Sequence, residues 1–177
     1  MDVRTTVAAL SIVWSGVSTG GTPAAETYSA ILKDDGRTWC VFKDPIRFKS
    51  EAESERPTES VTITYEGATL TEMSYQVSPE SGDWIVLDRY SPTKADVRVK
   101  RVIILAQANL QIIQEARIRS ERTGRFHIVS VTTLDGKKAE LGAVDLPSVP
   151  VKMNLLSLPP VKLAAELRLH ADARPCR

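Results

Sequence analysis

The residues best suited to chemistry in this 177-residue chain are few and scattered. There are two cysteines, Cys40 and Cys176, and two histidines, His127 and His170. A structural zinc site needs four Cys or His ligands at short spacings, and none cluster here. Neither a CxxC redox pair nor an HExxH zinc motif occurs. The sequence therefore assigns no catalytic residue, no metal ligand and no cofactor.

Cys40 and Cys176 are candidates for a disulfide, because an even cysteine count invites pairing in an oxidising compartment. Such a bridge would tie the C-terminal tail to a strand. The rival is a buried Cys40 packing as a small apolar residue beside a free Cys176.

Gly16-Val17-Ser18-Thr19-Gly20 matches GxSxG, the nucleophile elbow of α/β-hydrolases. An elbow needs a sheet built before it and a helix after it. Only fifteen residues precede this one, and Gly20, Gly21 and Pro23 occupy the place of the helix. A linker or a signal's cleavage region explains the same residues.

Asp83 and Asp88 flank Trp84, with Glu80 nearby, and paired acids beside an aromatic suit glycan chemistry. Five residues apart on a strand, however, they point to opposite faces. Turn and surface roles are expected instead. His127 lies in a strand with no partner that the sequence names, as a general base requires.

Arg117, Arg119, Arg122 and Arg125 form the one notable charge cluster, a candidate anion-binding face, with Arg98, Lys100 and Arg101 near it if the segment folds back. Charged side chains also protect a strand edge, which is the plainer reading. Phe126 alone adds an aromatic there, so a nucleic-acid reader is not expected. Trp84 and Tyr90 are candidate ligand aromatics. With Trp39, Tyr65 and Tyr75 they also suit a half-buried strand core.

Net charge is +1, too small for strong long-range attraction to polyanions. The halves differ: Glu26 to Lys100 holds ten basic and fourteen acidic residues, and Arg101 to Arg177 twelve and seven. Apolar residues make up 42% and charged residues 25%, a globular balance.

These residues must be positioned by a small domain. Residues 1–25 have the order of a secretory signal: Arg4, the apolar run Val7 to Val17, then small residues to Ala25. The run is too short to span a bilayer. Residues 26–146 are expected to form a β-domain, and 147–177 a proline-rich tail packed on it.

Strand formers recur at short intervals between turns. Thr38 to Phe42, Val61 to Tyr65, Thr69 to Val77, Trp84 to Tyr90 and Phe126 to Leu134 read as strands. Asp35-Gly36, Glu66-Gly67, Ser78 to Asp83 and Asp135-Gly136 read as turns. Pro45 ends the first hairpin, and Ser50 to Ser60 reads as an exposed loop. Lys162 to His170 reads as a short terminal helix.

Val97 to Ser120 is contested. Its composition favours helix, whereas alternation favours strands. A hairpin with a three-residue loop, Gln107-Ala108-Asn109, resolves it, placing Arg101 opposite Glu115 and Ile103 opposite Ile113. The expected class is all-β: a single antiparallel sandwich or barrel of about eight to ten strands with a proline-rich C-terminal extension. The alternative is α+β with a helix over 101–118.

The function expected from this is that of an exported, non-enzymatic β-domain binding another protein or a cell-envelope component. Alternatives are a hydrolase of an envelope polymer working through carboxylates or His127, and a carrier of a small apolar ligand. No transmembrane span is expected, and oligomeric state stays open.

Overall fold

A computed structural model describes residues 24–120, 122–170 and 175–176. The GxSxG run and, apart from Ala24 and Ala25, the expected signal lie outside the described residues, as does Glu121 of an expected turn.

The chain folds as an antiparallel meander. Its strands are β1 (Ala25–Leu32), β2 (Trp39–Phe42), β3 (Glu59–Glu66), β4 (Thr69–Val77), β5 (Trp84–Pro92), β6 (Val97–Leu105), β7 (Leu110–Arg119), β8 (Arg122–Thr123) and β9 (His127–Thr133). They form one sheet in the order β2-β1-β3-β4-β5-β6-β7-β8, and β9 also pairs with β7. The expected glycine turns are present, with Gly36, Gly67, Gly82 and Gly136 at positive φ, where a Cβ would be strained.

The long strands β3 to β7 bury alternate residues on one inner face, which β1 and β2 share. Tyr28, Ala30, Val61, Ile63, Met73, Tyr75, Tyr90 and Val99 lie there. So do Val86, Ile103, Leu105, Leu110 and Ile112. The chain's own C-terminal part forms the second, sandwich-like layer. A 3-10 turn (Leu155–Ser157) and helix α2 (Pro159–Leu169) supply Leu155, Val161, Leu163 and Ala164 to one end of this core. Extended chain lays Leu141, Val144, Leu146 and Val149 over the other end. Pro159 and Pro160 open α2, where a missing N–H does no harm.

Helix α1 (Pro45–Glu55) corrects the expected loop. Asp44 caps it by accepting from the Ile46 N–H at 2.9 Å, and Pro45 takes the first turn. Phe48 and Ala52, one turn apart, pack onto Ile31, Cys40 and Phe42 on the outer face of β1 and β2. Lys33 holds the helix end through Glu51 at 3.1 Å and Glu55 at 2.7 Å.

Val97 to Ser120 is a hairpin rather than a helix, with Asn109 in the left-handed conformation. Its loop has four residues, Ala106 to Asn109, so the expected register shifts by one. Ile103 faces Ile112, Lys100 faces Glu115, and Arg101 faces Gln114. The even loop exchanges the parity of the two strands. β6 therefore buries Val99, Arg101, Ile103 and Leu105, while β7 buries Leu110, Ile112, Gln114, Ala116 and Ile118.

Candidate functional site

The outer face of the sheet holds the candidate site. Along β5, β6 and β7, residues pointing away from the core include Arg89, Arg98, Lys100, Glu115 and Arg117. Strand register sets Arg89 beside Lys100, Lys100 beside Glu115, and Glu115 beside His127. The next row out sets Ser91 beside Arg98 and Arg98 beside Arg117. Neighbouring rows on one face lie about 7 Å apart.

After β7 the chain reverses at Ser120, whose φ is 46°. Arg122 and Thr123 pair back onto Arg119 and Ile118. Gly124 donates its N–H to the Arg117 carbonyl at 2.7 Å, and a Cβ there would sit 3.1 Å from that oxygen. This tight return brings Arg122 and Arg125 beside the two basic rows. Together these elements bound a groove of about 800 Å³.

All four arginines of the expected cluster line this groove, with Arg89, Arg98, Lys100 and His127. Arg101, grouped with them by sequence proximity, does not. It points to the inner face and is 6% exposed. Arg89 is the cation that sequence proximity could not supply, since it reaches the cluster only through the β5–β6 pairing.

Acids neutralise part of this charge. Asp96 lies 3.9 Å from Arg117 and 3.6 Å from Arg119, and Glu72 lies 3.4 Å from Arg89. A hydrogen bond from Thr93, then the two arginines, hold the Asp96 carboxyl below the ordinary carboxylate value. Arg98, Lys100, Arg122 and Arg125 have no ion-pair partner among the described residues. Glu115 is the one carboxylate in the groove lining. The net field there is cationic.

The inner face carries a different polar feature. Asp88, Arg101 and Gln114 form one buried row across β5, β6 and β7. Arg101 donates to both Asp88 oxygens, each at 2.7 Å. The Phe126 ring lies 4.7 Å from its guanidinium. Tyr90 donates its hydroxyl to Asp88 at 3.2 Å and accepts the Lys152 N–H at 2.9 Å. Burial, then the Asp88 charge, push the Tyr90 phenol far above its ordinary value. The paired charge of Asp88 was not anticipated by sequence, where a turn or surface role was expected. Asp83 does take such a role, accepting from Gln107 Nε2 at 2.9 Å beside the hairpin loop.

The other candidates fall in separate places. Tyr90 is fully buried, with no ring face open to a ligand. Trp84 packs partly buried at the Val86–Ile112 end of the core. Cys40 and Cys176 form a disulfide across a sequence separation of 136. Val41 also donates its N–H to the Pro175 carbonyl at 2.7 Å, so the tail adds a short rung to the free edge of β2. Among the described residues no group of three or more His, Cys, Asp or Glu side chains is placed to hold a metal ion. No helix among them is long and apolar enough to cross a membrane.

No protein-family model matches the chain, and neither a curated protein nor a solved structure does.

Proposed function

We propose that this chain is an exported, non-enzymatic β-domain that binds a cell-envelope component, and that what it grips is anionic. The observation that carries this is the groove on the outer face, where cations from β5, β6, β7, β8 and the following turn converge. Guanidinium groups bind phosphate and carboxylate bidentately, and an array of them suits an extended anion. The Cys40–Cys176 bridge supports export, since such bonds persist in oxidising compartments.

Inorganic polyphosphate is the probe, titrated calorimetrically at low and high salt. Binding that weakens steeply with salt is expected. The variant R98S/R117S should lose roughly a hundredfold or more in affinity, since each of the two charge-assisted contacts is worth about 1.5–3 kcal/mol. Equal binding by parent and variant would rule the groove out.

One observation favours a second reading. Glu115 and His127 are cross-strand neighbours in the groove. A carboxylate and an imidazole side by side among cations suit acid–base cleavage of an anionic polymer. Release of fragments from such a polymer, abolished in both E115Q and H127Q, is the expected sign. A polymer bound but left intact returns the assignment to binding alone.

A further inference from the structure

The outer face continues past the basic groove, and its character changes. β5, β6 and β7 contain the unbroken apolar runs Ile85 to Leu87, Val102 to Leu105 and Ile112-Ile113. The inner face takes Val86, Ile103, Leu105 and Ile112 from them. Ile85, Leu87, Val102, Ile104 and Ile113 are left pointing outward. Register sets Leu87, Val102 and Ile113 in one row, and Ile85 beside Ile104 in the next. These five are half-buried and belong to none of the three core clusters. α1 covers the outer face only at β1 and β2. The helices pack on β1, β2 and β3 rather than on β5, β6 or β7.

A solvated face of an antiparallel sheet ordinarily alternates with the core face and is polar. The same face obeys that rule on β3 and β4, which point Ser60, Thr62, Thr64, Ser74 and Gln76 outward. The departure runs across β5, β6 and β7, and it abuts the cationic rows. Two apolar rows and two cationic rows thus share one open surface.

We infer that this surface holds an anionic lipid, with its phosphate against Arg98, Lys100 and Arg117 and its acyl chain along the Leu87–Val102–Ile113 row. Charge selects the occupant. An acyl chain alone would leave the cations unused, and a hydrophilic polyanion would leave the apolar rows in water. A phosphate joined to a hydrocarbon chain satisfies both halves, across roughly 7 Å from the apolar row to Lys100 and roughly 14 Å to Arg98 and Arg117. The inference rests on the anion-binding proposal and names its ligand class.

The test uses vesicles of phosphatidylglycerol mixed with phosphatidylcholine, vesicles of phosphatidylcholine alone, and inorganic polyphosphate. The variant V102T/I104T/I113T keeps β-branched side chains and strand propensity while making the apolar rows polar. The parent is expected to sediment with phosphatidylglycerol vesicles and not with phosphatidylcholine alone. The triple variant should bind the former about tenfold more weakly, given the transfer free energy of the apolar groups removed. Its polyphosphate affinity should be unchanged.

Equal vesicle binding by the triple variant would overturn the inference and leave a purely electrostatic groove. Polyphosphate binding without vesicle binding would overturn it while sparing the anion-binding proposal. Loss of both in the parent would sink both. A parent that is dimeric by sedimentation, with a monomeric triple variant, would assign the apolar rows to a second copy of the chain and overturn the lipid.

Discussion

Asp88 and Arg101 sit side by side, with Gln114 next in the row, on a face otherwise built from apolar and aromatic side chains. Each is nearly removed from water, at 3% and 6% exposure. Their mutual hydrogen bonds, the Tyr90 hydroxyl and the Phe126 ring offset that desolvation. Removing one partner leaves the other charge buried alone, which costs about 3–5 kcal/mol. R101M and D88N are therefore expected to lower the urea midpoint sharply. The double variant D88L/R101M should recover most of the loss, because no unpaired charge remains. A double variant as unstable as either single one would show that the pair itself is needed. Asp35 makes a pH-dependent contribution of another kind. Its carboxylate accepts from the Thr38 hydroxyl and from the Thr38 and Arg37 N–H groups. Those bonds lower its pKa from 3.8 to about 2. The folded value lies below the unfolded one, so the contribution is present above pH 4 and is lost as pH falls towards 2. Comparing urea midpoints of parent and D35N across that window should show the steeper acid loss in the parent.

At the scale of elements, β3 and β4 were legible because alternation and turn chemistry agree along them, and β5 and β9 because strand formers are bounded there by glycine turns. The hairpin β6–β7 was legible in kind but not in register. The alternating even positions Val102 and Ile104 looked like the core face, yet the core takes Arg101 and Ile103. A charged residue at a buried position inverts the pattern, and only its partner Asp88, on the neighbouring strand, makes that position tenable. α1 was missed because its second half, Ser50 to Glu55, offers Ala52 as its one apolar residue, and none of its side chains is fully buried. The signal that could have found it was Asp44-Pro45, an N-cap followed by proline, together with Phe48 and Ala52 one turn apart. The groove was half legible: four arginines close in sequence, but not Arg89, nor the Glu115–His127 pairing. The disulfide belongs to this scale as well, since it fastens the tail along β2. A cross-link closing a 136-residue separation contributes at most about 5 kcal/mol through the unfolded chain. C40S/C176S should therefore melt lower than the parent. The Val41 amide, released from Pro175, should exchange with solvent faster by hydrogen-exchange NMR. An unchanged Val41 rate would mean that the tail holds to β2 without the bond.

The molecule as a whole is one sheet whose two faces have different fates. Among the described residues, the inner face is covered by the chain's C-terminal part, and the outer face is covered at one end by α1 and open at the other. This division explains why a chain with a net charge of +1 can present a strongly cationic site. α1, with Glu51, Glu53 and Glu55 against Arg47 and Lys49, lies over β1 and β2, whereas unpaired cations gather on β6 and the return after β7. It also makes the C-terminal part a structural layer. Leu155, Val161, Leu163 and Ala164 are all buried against the sheet. Tyr65 donates its hydroxyl to the Val161 carbonyl at 3.2 Å, so the helix is held by a polar contact as well. Without these residues Tyr28, Ile63, Met73 and Tyr90 would face water. Fully burying one such side chain is worth about 1.5–3 kcal/mol, so the four together are comparable to the 5–15 kcal/mol stability of an ordinary domain. A chain ending at Leu146 is therefore expected to lose cooperative unfolding and near-ultraviolet circular dichroism while keeping β-type far-ultraviolet signal. Adding residues 147–177 back as a separate peptide should restore part of the near-ultraviolet signal, because the inner face of the sheet would regain its own covering. A truncated chain that unfolds cooperatively at the parent's urea midpoint would show that the sheet stands alone and that the tail only decorates it.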